Sequence, residues 1–258
     1  MRGYEIKMKL KNAFIIFFLY LSLILLGYCI GYCYENIDSI PIKNTSNINK
    51  IHKILNEDEV KIITGDIDYT KNLNGLVPIN ISEYDFVLDL RYATDNNFSS
   101  KKVYDAYVAV LQKDTLNKLI SANEDFKALG YRIKIWDAYR PAHVQEYFWN
   151  IVQDRRYIAS PYYNGSRHNR GTAVDLTLVD MKGKEVEMPT GFDEFNTTAY
   201  RNAIMTGNAK KNVDLLTEVM VKNGFCPIET EWWHFDDISA DNFPIQDHYL
   251  SKFLKNIN

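Results

Sequence analysis

The stretch SRHNRGTAVDLTLVD, residues 166–180, places a histidine and a glycine just ahead of a run of Val, Leu and Thr. The run from 172 to 180 reads as a strand. His168 lies in the loop before it and Asp175 lies inside it, with Gly171 between them to let the chain turn. Such a pair is either a hydrogen-bonded structural contact or half of a metal site. The stretch alone leaves both readings open.

The neighbouring segments build a domain around this strand. YRIKIW (131–136) alternates and predicts a second strand. Before it, residues 113–130 predict a helix capped by Asp114 or Thr115, with Leu116, Leu119, Ile120 and Phe126 on one face and Gly130 as the stop. Pro141 opens a helix over 142–154. After the central strand, KGKE (182–185) is a turn, a long helical region spans about 198–223 up to Gly224, and ETEWWHFD (229–236) closes the set as a strand. YDFVLDLRYAT (84–94) has strand-like runs that end in a polar loop. Strands and helices are interspersed without strict βαβ alternation, and no glycine-rich phosphate loop is present. The expected fold is a single α+β domain with a central antiparallel sheet and flanking helices, preceded by an N-terminal hydrophobic helix.

Composition bounds the function. At 258 residues and 46% hydrophobic, the chain can bury a core of normal size. A net charge of -3 gives no basic footprint, so nucleic acid is not an expected partner. The N-terminus differs from the rest. Arg2, Lys7, Lys9 and Lys11 precede an uncharged apolar run over 13–34, about the roughly 20 residues that cross a bilayer. A positive flank stays cytoplasmic, which places the remaining chain outside the membrane. The expected organisation is an anchor at 1–34, a polar spacer at 35–78 and a globular domain at 79–258. A cleaved signal peptide is the alternative, in which case the domain is secreted. Cys29 and Cys33 fall in the apolar run, so Cys226 is expected to be a small buried hydrophobe with no disulfide inside the domain.

Five histidines are available for chemistry. His52 sits in the spacer, His143 at a helix start facing solvent, and His248 near the C-terminus. His168 and His234 remain, each near a carboxylate: Asp175 follows His168 by seven residues, and Glu231 precedes His234 by three. Two imidazoles and one carboxylate make a common zinc set with a fourth position open. Strict strand alternation would put Glu231 and His234 on opposite faces, so they share a site only if the strand bends or ends there. Glu231 would then suit a general base. In WDAYRP (136–141), Asp137 and Arg140 follow a strand, either as an ion pair or as a guanidinium aimed at a developing oxyanion.

Together, WDAYRP, SRHNRGTAVDLTL and EWWHF, with the upstream DLRYATDNNF (89–98), resemble the zinc D-alanyl-D-alanine dipeptidases of the VanX type, relatives of the VanY D,D-carboxypeptidases. The resemblance covers about 80–240 and implies a Hedgehog/DD-peptidase-like α+β fold. It implies one Zn2+ per chain held by His168, Asp175 and His234, Glu231 as general base and Arg140 as transition-state stabiliser. It also implies substrate contacts at Ser166, at Asp193 in MPTGFD for the free ammonium, and at Tyr92, with Tyr104 or Tyr107 as a second pocket tyrosine. The implied activity is hydrolysis of D-Ala-D-Ala or similar dipeptides in cell-wall metabolism. The alternatives are a D,D-carboxypeptidase trimming wall stem peptides and, from another class, a non-catalytic wall-binding domain stabilised by zinc. The resistance enzyme of this type works in the cytoplasm, so an anchored, exported domain would meet its peptide elsewhere.

Overall fold

The computed structural model describes residues 60–255. The expected anchor, most of the expected spacer and His52 lie outside this range. Among the described residues, no helix is long and apolar enough to cross a membrane.

The domain begins earlier than residue 79. β1 (Leu76–Pro78) pairs antiparallel with β3 (Val110–Gln112), and Leu76 is fully buried. Ile67 bridges Leu254, so the chain before β1 is tied to the chain's C-terminal end. The last part of the predicted spacer is therefore packed structure.

The main sheet has five strands in the order β2 (Val87–Leu88), β4 (Tyr131–Asp137), β5 (Ala173–Asp180), β7 (His234–Asp237), β6 (Phe225–Pro227). Three of its four pairings are antiparallel, but β2 runs parallel to β4. This departs from the all-antiparallel expectation for a physical reason. The connection from β2 to β4 contains the helix α2 (Lys113–Ala128), and a helical crossover returns the chain in the same direction. The strand-like run at 84–94 yields only the two residues of β2. A four-residue helix, α1 (Ile81–Tyr84), precedes it, and Arg91–Ala93 coils into a 3-10 turn that buries Tyr92.

Alternation divides the sheet into a packing face and a chemical face. Ile133 pairs with Leu178, Ile135 with Leu176 and Val174 with Phe235, and all six are fully buried. They join one core with Leu116, Leu119 and Phe126 of α2, and with Val213, Leu216 and Met220 of a later helix, Gly207–Lys222. Leu119→Ala in this layer would cost about 2–5 kcal/mol. The opposite face of β5 carries Asp175 and Thr177.

Helix ends show where tertiary contacts override local signals. Neither Asp114 nor Thr115 caps α2, which starts one residue earlier at Lys113. The Thr115 hydroxyl instead donates to buried Asp237 at 2.7 Å. Gly130 and Gly224 do follow helices with positive φ, as the stop positions require. Helix α3 (Ala142–Ile151) begins after Pro141 as expected and ends short of 154. The long region predicted at 198–223 becomes a 3-10 turn (Thr197–Ala199), an irregular segment and then α4 (Gly207–Lys222), because 200–206 is drawn into contacts described below. Cys226 is buried in β6 as expected.

Candidate active site

Register, more than any loop, assembles the centre. Asp175 stands at the middle of three adjacent strands, with Asp137 of β4 opposite it on one side and His234 of β7 opposite it on the other. A β-bulge between Ile135 and Asp137 re-aims the end of β4. The strand predicted at 229–236 starts only at His234, and Glu231 lies on the turn before it. The alternation that would have separated Glu231 from His234 therefore does not apply. The carboxylate approaches within 4.0 Å of His234 Nδ1.

His168 arrives from a 3-10 turn, Arg167–Arg170. The Ser166 hydroxyl oxygen accepts the His168 N–H at 3.2 Å, and Asn169 Oδ1 accepts the Ser166 N–H at 2.8 Å, a reciprocal cap. Gly171 ends the turn at φ +70, where an added Cβ would lie 2.3 Å from Leu76 Cδ2. The turn is fastened to WDAYRP by two bonds: Arg140 N–H donates to the His168 carbonyl at 3.0 Å, and Asn169 Nδ2 donates to the Arg140 carbonyl at 2.8 Å.

Three ligand atoms converge. Asp175 Oδ1 lies 2.9 Å from His234 Nδ1 and 3.3 Å from His168 Nε2, and the two nitrogens are 3.1 Å apart. A tetrahedral ion with ligands at roughly 2.0–2.1 Å has edges of about 3.3 Å, so the triangle fits zinc. Each imidazole also has its second nitrogen occupied. His168 Nδ1–H donates to the Ala138 carbonyl at 2.6 Å, and His234 Nε2–H to Asp236 Oδ1 at 2.9 Å. These bonds leave Nε2 of His168 and Nδ1 of His234 as the lone-pair donors. Burial alone would raise the Asp175 carboxyl, but the two imidazoles outweigh it and hold the carboxyl well below the usual range, as an anionic ligand. Among the described residues, this is the one group of such side chains that could hold a metal ion.

Around the triangle lie buried charges. Burial pushes Glu231 up to about 8, with the nearby His234 opposing and Asp175 adding to the rise. Arg140 is buried, and desolvation would lower its pKa, but Asp137 more than compensates and keeps it charged. Its Nε and Nη2 donate to Asp137 Oδ2 at 3.1 and 2.8 Å, and Nη1 donates to Gln145 Oε1 at 2.8 Å. Three of five N–H groups are thus committed, which leaves one on each Nη. Nη2 is 3.8 Å from Asp175 Oδ2, so its spare donor sits beside the metal triangle.

The guanidinium carbon also lies 5.1 Å from the Tyr92 ring centre. Tyr92 in turn donates its hydroxyl to Asp193 Oδ1 at 2.9 Å. Asp193 occupies a left-handed conformation, φ 61, one that costs most non-glycine residues on the order of 1–3 kcal/mol and that gathers at functional sites. Burial pushes its carboxyl up to about 7, against the Tyr92 hydrogen bond. The two tyrosines left open by sequence separate clearly. Tyr104 is buried and donates its hydroxyl to Asp137, inside the site, whereas Tyr107 is 41% exposed and bonds to Leu88 and Leu90 at the sheet edge. His143 and His248 stay apart from the centre, pairing with Asp247 and Asn74.

Two contributors were missed. Asp236 stands two residues from His234 on the same strand, an i, i+2 spacing that sequence does display. Gln145 and its bond to Arg140 had no such signal.

Comparison with known proteins is consistent across the domain. The profile of a family described as "D-ala-D-ala dipeptidase" matches residues 72–255. A D-alanyl-D-alanine dipeptidase of Escherichia coli (strain K12) is 34% identical over 181 residues, 69% of this chain and 93% of that relative. One from Enterococcus faecalis is 31% identical over 184 residues, 63% of this chain and 90% of its own. Among solved structures, a vancomycin-resistance D,D-pentapeptidase in complex with Zn(II) aligns with TM-score 0.34 and 15% identity, over 52% of this chain and 75% of that one.

Proposed function

We propose, from the premise that this chain belongs to the D-ala-D-ala dipeptidase family and is a peptide hydrolase, that it hydrolyses D-alanyl-D-alanine with one zinc ion, outside the cytoplasmic membrane. The observation that carries this reading is the buried triangle of His168, Asp175 and His234, with Glu231 and Arg140 beside it.

Zinc held by that triangle would supply Lewis acidity, polarising a peptide carbonyl and acidifying water. The chain's own groups do the rest. Glu231, buried and 4.0 Å from His234 Nδ1, takes a proton from the attacking water and passes it to the leaving amine. The two spare Arg140 N–H groups face the oxygen that gains charge as the carbonyl becomes tetrahedral, and the bonds to Asp137 and Gln145 fix their direction. Ser166 spends its oxygen on the His168 N–H, and its own hydroxyl hydrogen is free to donate to the substrate.

At the other end, Asp193 offers a carboxylate to the substrate's free ammonium, with Tyr92 and the Phe98 N–H holding its two oxygens. A dipeptide places its ammonium one residue from the scissile bond. A stem peptide has a neutral amide N–H there, which leaves the buried carboxylate without a counter-charge. This favours a dipeptidase over a carboxypeptidase. The location rests on the N-terminal run over 13–34 with its positive flank, which would anchor the domain outside the membrane.

Release of D-Ala by the purified full chain should be measured on D-Ala-D-Ala, L-Ala-D-Ala and a stem pentapeptide, with and without chelator. Dipeptide turnover at least 100-fold above the pentapeptide, abolished by chelation and restored by zinc, is the expected result. Equal turnover of the pentapeptide would replace this reading with the carboxypeptidase one.

A further inference from the structure

Glu231 sits on a segment, 228–233, that belongs to no helix or strand. Among the described residues its carboxylate makes no hydrogen bond, and its closest ionic partner is His234 at 4.0 Å. Its aim must therefore come from the backbone that carries it. The Trp233 carbonyl of that backbone accepts the Leu176 N–H of β5 at 3.1 Å and the Trp232 N–H donates to the Ala199 carbonyl at 3.1 Å, but β7 itself starts only at His234. Something else has to gather the remaining carbonyls.

Arg201 does so, from the irregular segment between the Thr197–Ala199 turn and α4. Its Nε donates to the Ile228 carbonyl at 2.8 Å, and its Nη2 donates to the carbonyls of Trp232 and His234 at 2.7 and 3.0 Å. Nη1 donates to Thr217 Oγ1 at 2.7 Å, anchoring the guanidinium to α4. The backbone N–H of Arg201 donates to the Glu229 carbonyl at 2.9 Å, and the guanidinium carbon lies 4.5 Å from the Phe235 ring centre. Four residues of the 228–234 stretch are thus bound by one arginine, on both sides of Glu231. These contacts also account for the helix predicted at 198–223 giving way to irregular chain at 200–206.

We propose that Arg201 is a positioning residue: by bracketing the carbonyls of Ile228, Trp232 and His234, it holds Glu231 and the His234 imidazole at the geometry the reaction needs. The proposal rests on the zinc hydrolase reading above. A planar fork with five donors can span these acceptors, whereas a lysine ammonium is a single point that reaches one or two of them. The substrate's amino end is bound elsewhere, by Asp193 and Tyr92, so the effect falls on turnover and metal affinity and spares ground-state binding.

The test compares wild type, Arg201→Met, Arg201→Lys and Val213→Ala in the full chain. Val213→Ala serves as a stability control, since the Val213 side chain is buried in α4 and the substitution leaves in place its backbone carbonyl, which accepts the Thr217 hydroxyl at 2.7 Å. Zinc affinity is read by competition with a chelating indicator, and kcat and KM from D-Ala release. Arg201→Met should lower kcat and zinc affinity by about 10–100-fold each, with KM within about threefold. Arg201→Lys should fall between it and wild type, and Val213→Ala should lose melting temperature while keeping both constants. The proposal is overturned if Arg201→Lys matches wild type in kcat and zinc affinity, or if the losses no more than match those of Val213→Ala. Zinc affinity needs no turnover, so a wild type that releases no D-Ala would overturn the functional reading while this readout still judged Arg201.

Discussion

The two halves of the proposed site are built from different material. The metal half rests on the sheet: Asp137, Asp175 and His234 stand opposite one another on β4, β5 and β7, with hydrophobic pairs packed beneath them. The substrate half rests on loops: Tyr92 on a 3-10 turn and Asp193 on a left-handed residue, 101 positions apart, joined by one hydrogen bond. Strand register positions the chemistry, and slipping it by one residue would turn the core side chains of that strand to the other face. Tyr92 shares that core, but Asp193 lies on a loop outside it and can be altered without that cost. Reaction type should therefore be hard to change and substrate choice comparatively easy.

Arg140 lies where the halves meet, bonded to Asp137 and stacked on Tyr92. Arg140→Lys keeps the charge and loses the fork, so kcat should drop by about 10²–10³-fold with KM far less affected. Steady-state kinetics on D-Ala-D-Ala check this, and a change confined to KM would place Arg140 in the substrate half. Next in size, Asp236→Ala removes the partner of His234 Nε2 and should weaken zinc binding by about 10–100-fold, read by chelator competition.

The substrate half titrates. The Asp193 carboxyl, pushed up to about 7 from an ordinary value near 3.8, holds in the folded chain a proton that the unfolded chain releases. Its contribution to stability is full at low pH and is lost as pH rises through about 7. Ammonium binding runs the other way and needs the ionised form, so kcat/KM should rise through about pH 7. Asp193→Asn should erase that inflection and raise KM by about tenfold, with kcat largely kept. An unchanged pH profile would assign the inflection to another group. The smallest contrast is between two tyrosines. Tyr104→Phe removes a buried bond to the Asp137 carboxylate and should cost about 1.5–3 kcal/mol of stability with a severalfold loss of kcat. Tyr107→Phe at the sheet edge should leave kcat unchanged.

The same contrast governs what the sequence made legible. His168, Asp175, Glu231 and His234 lie in two short motifs, and the strand carrying Asp175 announces itself by its Val, Leu and Thr. Alternation even posed the Glu231–His234 problem correctly; its solution, a strand that begins only at His234, depends on carbonyls held by Arg201. Tyr92 and Asp193 meet across 101 residues, and only the resemblance to a family pointed to both. No local pattern signals a side chain whose partners are backbone carbonyls, which is why Arg201 escaped, and a glutamine five residues from Arg140 carries no signal that it accepts from the guanidinium. The parallel β2–β4 pair was hidden for a related reason: two residues are too few to show a period. The packed start of the domain was hidden by its polar, weakly periodic composition.

The central claim, a zinc hydrolase whose base is Glu231, is tested most directly by Glu231→Gln in the full chain, with zinc content and D-Ala release from D-Ala-D-Ala measured on the same preparation. One zinc per chain with turnover reduced by about 10³-fold or more is the predicted result. Zinc-loaded Glu231→Gln turning over like wild type would contradict it.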